Sequence, residues 1–367
     1  MRTITLDARE LATAIKLVSM AIERHNTIPV LGQIRLTGKK GHVKLFGTNL
    51  DQIIETTVAG IGPGGFDVLL PPKLLQLFLT GASGEVVIEL TSGKTPSIRL
   101  SNAGAVMETA LDHLIPVEDM PDQLSKFEAA ESFSIPETEI KRALTLVRPC
   151  ISTEETRYYL NGAYIHPIEG KLAIVATDGH RLTLVKTGLE TCLEAGFILP
   201  TQAVDTLAAI TRKGGNAPIE VVPSKGAQWV QFKHSNATIT SRVIDGTFPD
   251  YNRAIPKTTA TLSASVDAAN LARFQNHDGY YGGYTALIFD PKARTISQTH
   301  TDFQTKVTSH LSGDTLGETP FAFNPKFLKD FTKVLGKVTL SAENHHTPFI
   351  VSNGDKSVIA VQMPMRA

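Results

Sequence analysis

Apolar positions along this chain change their period in a fixed order, and the order recurs three times. An apolar strand runs into an amphipathic helix over Ile4 to Ile22, again over Phe133 to Val147, and again over Leu262 to Phe274. In the first, Leu11, Ile15, Val18 and Ile22 recur at helical spacing, Arg9, Lys16 and Arg24 lie off that stripe, and Asp7 is placed to cap the helix start. In the second, the helix opens at Ser134 to Glu137. Its Ile140, Ala143, Leu144 and Val147 share one side, with Lys141, Arg142 and Arg148 on the other. Each helix is followed by strands: QIRLTGKKGHVKLFGTNL, turning at Gly38 to Gly41, then LNGAYIHPIEGKLAIVATDGHRLTLVKT, which alternates well. The third version is rougher, with Gln298 standing where the others have Leu45 and Ile174. A second strand, a Pro-containing step and a second helix complete each round: VLLPPKLLQLF from Val68, ILPTQAVDTL from Ile198, AFNPKFLKDF from Ala322. Leu74, Leu77 and Phe78 are expected to face inward in the first of these helices. In the last, Lys326, Lys329, Lys333 and Lys337 oppose Phe327, Leu328, Phe331 and Val334.

The spacing makes this a true repeat. Thr48-Asn49, Thr177-Asp178 and Thr301-Asp302 mark the same step, and Thr48 to Thr177 spans the same interval as Pro71 to Pro200. Thr177 to Thr301 likewise matches Pro200 to Asn324. Landmarks that keep a common spacing imply one fold copied three times, and a period this long is a domain rather than a solenoid unit. The joins fall in polar, Pro-bearing stretches, VEDMPDQLSKFEAAES from Val117 and DYNRAIPKTTAT from Asp250, giving domains 1–124, 125–257 and 258–367. Strand-helix-strand-strand halves with short turns predict an α+β class, helices covering one side of antiparallel sheets.

Composition narrows the function. With 367 residues, 42% of them apolar, the chain has material for two or three cores and is not disordered. No apolar run approaches the roughly 18 residues of a membrane span, and Asp7, Arg9 and Glu10 stand where a signal peptide would be apolar. Cys150 and Cys192 are too few for a disulfide scaffold and are expected as free thiols in a reducing cytoplasm. The 36 basic and 36 acidic side chains cancel, which argues against a protein that grips DNA by excess charge but not against one that encloses it. Asp178 and His180 suggest neither a metal site nor a triad, because no further ligand accompanies them at metal spacing, and His345-His346 is a lone pair. Nucleophile-elbow, Walker and HExxH motifs are missing, so the expectation is a non-enzymatic protein without cofactor or metal.

Four segments then point to a family. ISTEETRYYLNG at Ile151, ATDGHRL at Ala176, VIDGTFPDYNRAIP at Val243 and QMPMRA at Gln362 resemble the bacterial sliding clamps, the beta subunits of DNA polymerase III, and the resemblance runs from end to end. It implies three tandem clamp domains, helices inside and antiparallel sheets outside, and a head-to-tail homodimer closing into a six-domain ring. Duplex DNA passes through such a ring without base-specific readout, as a sliding protein requires. The implied partners are DNA, the polymerase III alpha and clamp-loader subunits, and other polymerases and repair proteins that insert short peptides.

Carried over by motif, the peptide pocket uses Leu160, Thr177, Gly179, His180, Arg181 and Leu182, with Pro249 and Arg253. Asn324 and Phe327 come from the third copy, and Val361, Met363, Pro364, Met365 and Arg366 from the tail. Adaptable Met side chains suit a pocket serving several peptides. Read without the family, Leu160, Leu182 and Val361 are ordinary core. Arg157, Tyr158 and Tyr159 match the loop that touches DNA, where aromatics stack on bases and Arg pairs with phosphate, and Arg24 and His25 match the first-domain turn. Asn276 and His277 fall on the dimer seam, where relatives carry apolar residues, so a weaker seam is expected. Thr201-Gln202 stands where relatives carry basic residues, and Ala367 where many end in a larger apolar one. The rival reading is a divergent paralogue that binds peptides without closing a stable ring.

Overall fold

The computed structural model describes residues 2–365 apart from 24–26, 92–94, 122–126, 212–214, 216, 258, 275–285, 301–304 and 312. Within them each half-copy runs strand, helix, strand, strand, and adds one further strand, or two in the first half of the third copy. The first copy is β1 (Arg2–Asp7), α1 (Ala8–Val18), β2 (Ile34–Lys39), β3 (His42–Thr48) and β4 (Gln52–Ile61), then β5 (Phe66–Leu70), α2 (Pro72–Phe78), β6 (Glu85–Thr91), β7 (Ser97–Asn102) and β8 (Ala105–Ala110). The second is β9 (Phe133–Pro136), α3 (Glu137–Val147), β10 (Gly162–Ile168), β11 (Lys171–Thr177) and β12 (Arg181–Glu190), then β13 (Phe197–Pro200), α4 (Thr201–Ile210), β14 (Pro218–Pro223), β15 (Trp229–His234) and β16 (Ala237–Arg242). The third is β17 (Leu262–Val266), α5 (Ala268–Leu271), β18 (Leu287–Asp290), β19 (Thr295–His300), β20 (Thr305–His310) and a short β21 (Thr315–Leu316), then β22 (Phe321–Phe323), α6 (Pro325–Leu335), β23 (Val338–Ala342), β24 (Phe349–Ser352) and β25 (Val358–Gln362). The class is α+β with antiparallel pairing, as the patterning implies.

The helices form close to where the patterning places them, except that Ser134 to Pro136, expected to open α3, belong to β9 and the helix begins at Glu137. Asp7 accepts hydrogen bonds from the Arg9 and Glu10 N–H groups, satisfying two of the donors a helix start leaves open. Leu11, Ala14, Ile15 and Val18 of α1 are buried, as are Ile140, Ala143, Leu144 and Val147 of α3. The expectation for α2 needs correcting. Leu74 is 48% and Leu77 70% exposed, while Leu75 and Leu79 are buried. In PKLLQLF apolar residues surround the helix, and the i, i+4 pair is the one that faces the sheet. Gln298 is fully buried. In the third copy Phe289, Phe321, Phe323 and Phe349 pack ring to ring, with centroids between 4.8 and 5.9 Å.

Strand pairing crosses the repeat boundaries. In one sheet β4 pairs antiparallel with β16, and Gln52 opposes Ser241. In another β12 pairs with β25, and Arg181 opposes Gln362. The chain therefore forms two compact units, Met1–Thr138 with Asp205–Val243, and Glu139–Val204 with Ile244–Ala367. Among the described residues no helix is long and apolar enough to cross a membrane.

Candidate functional site

The site lies in the second unit, and it is built on the turn between β11 and β12. Gly179 has φ +87°, a left-handed conformation that favours glycine. Asp178 Oδ1 accepts from the N–H groups of His180 and Arg181 at 2.9 and 3.0 Å. Thr177 Oγ1 donates to the Arg181 carbonyl at 2.7 Å and accepts the Gly179 N–H at 3.1 Å. Each of the first three residues of TDGHR thus shapes the turn itself. The consequence is that His180 stays exposed while Arg181 turns in.

The tail forms the neighbouring wall. Leu182 pairs with Val361, and beyond the strand the Met363 N–H donates to the His180 carbonyl at 2.8 Å. The Met365 N–H then donates to the Ala322 carbonyl at 2.7 Å. Asn324 caps α6 by accepting the Lys326 N–H at 2.9 Å, and the buried Gln362 reaches the Asn324 carbonyl at 3.5 Å.

Leu160, Leu182 and Val361 are core residues, each at most 3% exposed. They form a floor with Val175, Ile198, Phe248 and Tyr251. Around that floor His180, Pro249, Arg253 and Met363 are exposed, and Thr177, Phe327, Pro364 and Met365 half-buried. Arg366 lies outside the described residues. Under the floor Tyr164 stacks on His166 at 4.6 Å and on Phe248 at 4.9 Å. Of these supports only Phe248 and Tyr251 lie in a family segment, FPDY, and Tyr164 and His166 carried no signal beyond strand alternation.

One charged cluster organises the wall. The Arg181 Nε donates to Asp178 Oδ2 at 2.9 Å and its Nη1 to Asp330 Oδ2 at 2.8 Å. Its guanidinium carbon stands 4.2 Å from the Phe327 ring centroid, a cation–π contact, and the His180 ring stacks near the same ring at 6.1 Å. Burial works against the guanidinium charge, but the surrounding negative charge outweighs it and the Arg181 pKa is raised. Cys150 is buried nearby with Sγ 3.3 Å from Thr183 Oγ1, and burial pushes its thiol up to about 12, so it is no nucleophile. Among the described residues no group of three or more His, Cys, Asp or Glu is placed to hold a metal.

Of the residues expected at DNA, Tyr158 is 53% exposed, whereas Tyr159 is half-buried and packs against the floor. Arg157 is tied by Nε, at 2.7 Å, and by Nη2 to Glu154 Oε2, a carboxylate that offsets its charge. Arg24, His25, Asn276 and His277 lie outside the described residues. Thr201 donates its hydroxyl to the Asn161 carbonyl at 2.8 Å.

A threefold α+β repeat whose sheets run on from copy to copy is the architecture of a DNA clamp. Residues 2–106 match the N-terminal domain, and residues 134–250 the central domain, of the DNA polymerase III beta subunit. The beta sliding clamp of Caulobacter vibrioides NA1000 is 29% identical over 99% of both chains, and that of Escherichia coli K12 is 26% identical over 69% of this chain and 68% of its own. A crystal structure of the Caulobacter crescentus clamp superposes with a TM-score of 0.86 at 26% identity, covering 100% of this chain and 99% of that one. The Bartonella birtlesii clamp, solved with griselimycin bound, gives 0.87 at 25% identity over 100% of both. The chain belongs to the DNA polymerase III beta subunit family, the sliding clamps. Its role is that family's: a non-catalytic processivity factor of DNA replication.

Proposed function

We propose that two copies of this chain close head to tail into a ring around duplex DNA, and that the site on the second unit tethers replication and repair proteins by short peptides. The repeat supports the ring. The fourth strand of the first copy, β4, pairs with the last strand of the second, β16, and β12 pairs with β25 in the same register. By the repeat, β20 should pair with a β8. Among the described residues both lie at sheet edges, and a β8 from another chain completes the series. Helix α2 supports the same reading. Leu74 and Leu77 sit at the repeat positions of Ala203 and Thr206, which are buried in α4. In α2 they are exposed, at 48% and 70%. They are the seam residues that sequence reading missed.

The implied register sets Thr305 of one chain opposite Thr109 of the other. Thr109→Cys with Thr305→Cys should cross-link into a covalent ring, whereas Thr109→Cys with Lys306→Cys, one residue out of phase, should not. Leu77→Asp should shift the dimer to monomer in sedimentation. A Leu77→Asp dimer unchanged at sub-micromolar concentration would overturn the seam.

Zero net charge supports retention by topology. Binding to a short linear duplex should be weak and salt-dependent, roughly 10⁻⁴ to 10⁻⁶ M. The closed ring should stay on a loaded circular duplex at high salt and leave when the circle is linearised. Nanomolar, sequence-selective binding to a short duplex would refute this. Domains 1–124, 125–257 and 258–367 are the proposed ring segments, Tyr158 and Arg157 with Arg24 and His25 the proposed DNA contacts, and the cytoplasm the proposed compartment. Polymerase III alpha, the clamp loader, other polymerases and repair proteins are the proposed peptide donors.

A further inference from the structure

The two repeat junctions inside the chain carry the same latch in different chemistry. Where the fourth strand of one copy begins, a side chain reaches the second helix of the following copy. At the first junction this is Gln52, whose Nε2 donates to Thr206 Oγ1 at 3.0 Å, with both residues buried. At the second it is Arg181, bonded to Asp330 at 2.8 Å. Gln52 and Arg181 are repeat equivalents, as are Thr206 and Asp330, and as are Ala203 and Phe327. A neutral pair therefore suffices to hold such a junction. The charged version adds a guanidinium pinned at Nε by Asp178 and at Nη1 by Asp330, its central carbon 4.2 Å from the centroid of an aromatic ring that the first junction lacks. Asp330 is three residues beyond Phe327 in α6, on the same helix face, so ring and carboxylate address Arg181 together. The Asp330 side chain is 35% exposed and that of Arg181 only 7%, so the carboxylate reaches the site's surface while the cation it holds does not.

We infer that Asp330 is a positioning residue for partner-peptide binding. It holds Arg181 against Phe327, so that the wall presents a fixed ring to an apolar side chain of the peptide. This rests on the peptide-site reading above and names a residue that fixes its shape. Without the carboxylate the guanidinium keeps only the Asp178 bond, its plane is free to rotate, and the ring loses its backing. A peptide must then order the wall as it binds, a cost that preorganisation removes.

The test uses the full-length dimer and a fluorescein-labelled peptide carrying one Gln and two large apolar residues, read by anisotropy beside thermal melting and sizing. Asp330→Ala should weaken binding by about tenfold, and Asp330→Asn, which keeps a neutral acceptor, by less, because charge-assisted bonds are the stronger ones. In the Phe327→Ala background, Asp330→Ala should change affinity less than about twofold, since the ring it backs is gone and coupled residues are not additive. A purely structural role predicts the opposite: lower melting temperatures with affinity unchanged, or equal effects in both backgrounds, and either result overturns the inference. If Phe327→Ala and Met363→Ala weaken binding while both Asp330 variants leave it intact, the inference fails and the peptide site stands. If the unaltered protein does not bind the peptide, the site reading fails and takes the inference with it.

Discussion

The Tyr251 hydroxyl lies 3.1 Å from His166 Nε2, a buried pair whose protonation state is expected to link stability to pH. His166 Nδ1 is 3.1 Å from the Pro167 carbonyl. A neutral ring with its proton on Nδ1 donates to that carbonyl and accepts from Tyr251. A protonated ring has no lone pair for the Tyr251 proton. Burial lowers the His166 pKa below its ordinary 6.5, while burial raises Tyr251 to about 12, so the tyrosine keeps its proton.

The sign follows from linkage. A folded pKa below the unfolded value means that the unfolded chain binds the proton more readily. The His166 contribution is complete above about pH 6.5 and is lost as pH falls below it. The melting temperature should fall between pH 7 and pH 5, and His166→Phe, which keeps the ring stack, should flatten that part of the profile. At pH 7 the variant should lose about 1–2 kcal/mol, because Tyr251 is left without its acceptor. A variant profile parallel to the original would show that other groups carry the acid sensitivity.

The cysteines should separate cleanly. Cys150 is fully buried and its thiol is pushed up to about 12, whereas Cys192 is partly exposed. At pH 8 in the native state a thiol reagent should label Cys192 and spare Cys150, and denaturant should release the second thiol. Equal labelling rates, read by mass spectrometry, would mean that the start of β12 beside Arg181 opens in the native protein.

The tail needs a finer probe than truncation. Sequence reasoning expects that deleting Met363 to Ala367 leaves folding unchanged. The bonds from Met363 N–H to His180 and from Met365 N–H to Ala322 say otherwise, because deletion removes both. It should cost about 1–3 kcal/mol of stability as well as peptide affinity. Met363→Ala trims a side chain that is 41% exposed, so it should weaken peptide binding roughly five- to tenfold and move the melting temperature by no more than about 2 °C. An unaltered affinity in that variant would remove Met363 from the site.

The sequence by itself determined the threefold repeat, the α+β class, the caps and stripes of α1 and α3, and the family. These are local or periodic properties: Asp7 caps because of its place in the chain, and Ile140, Ala143, Leu144 and Val147 share a face because of the helical turn. Sequence reading took TDGHRL as strand, whereas the structure turns the chain between Thr177 and Arg181. Only the tertiary structure decided which side of an all-round apolar helix is covered. Leu75 faces the sheet and Leu77 does not, because burial depends on what lies opposite, and that comes from another segment or another chain. Nor did spacing reveal that Arg181 meets Asp330, far along the chain, or that Gln52 and Thr206 repeat that meeting without charge. Such pairs are made when a strand of one copy adds to the sheet of the next, and hydrogen bonding between strands leaves no periodic mark on the side chains it brings together.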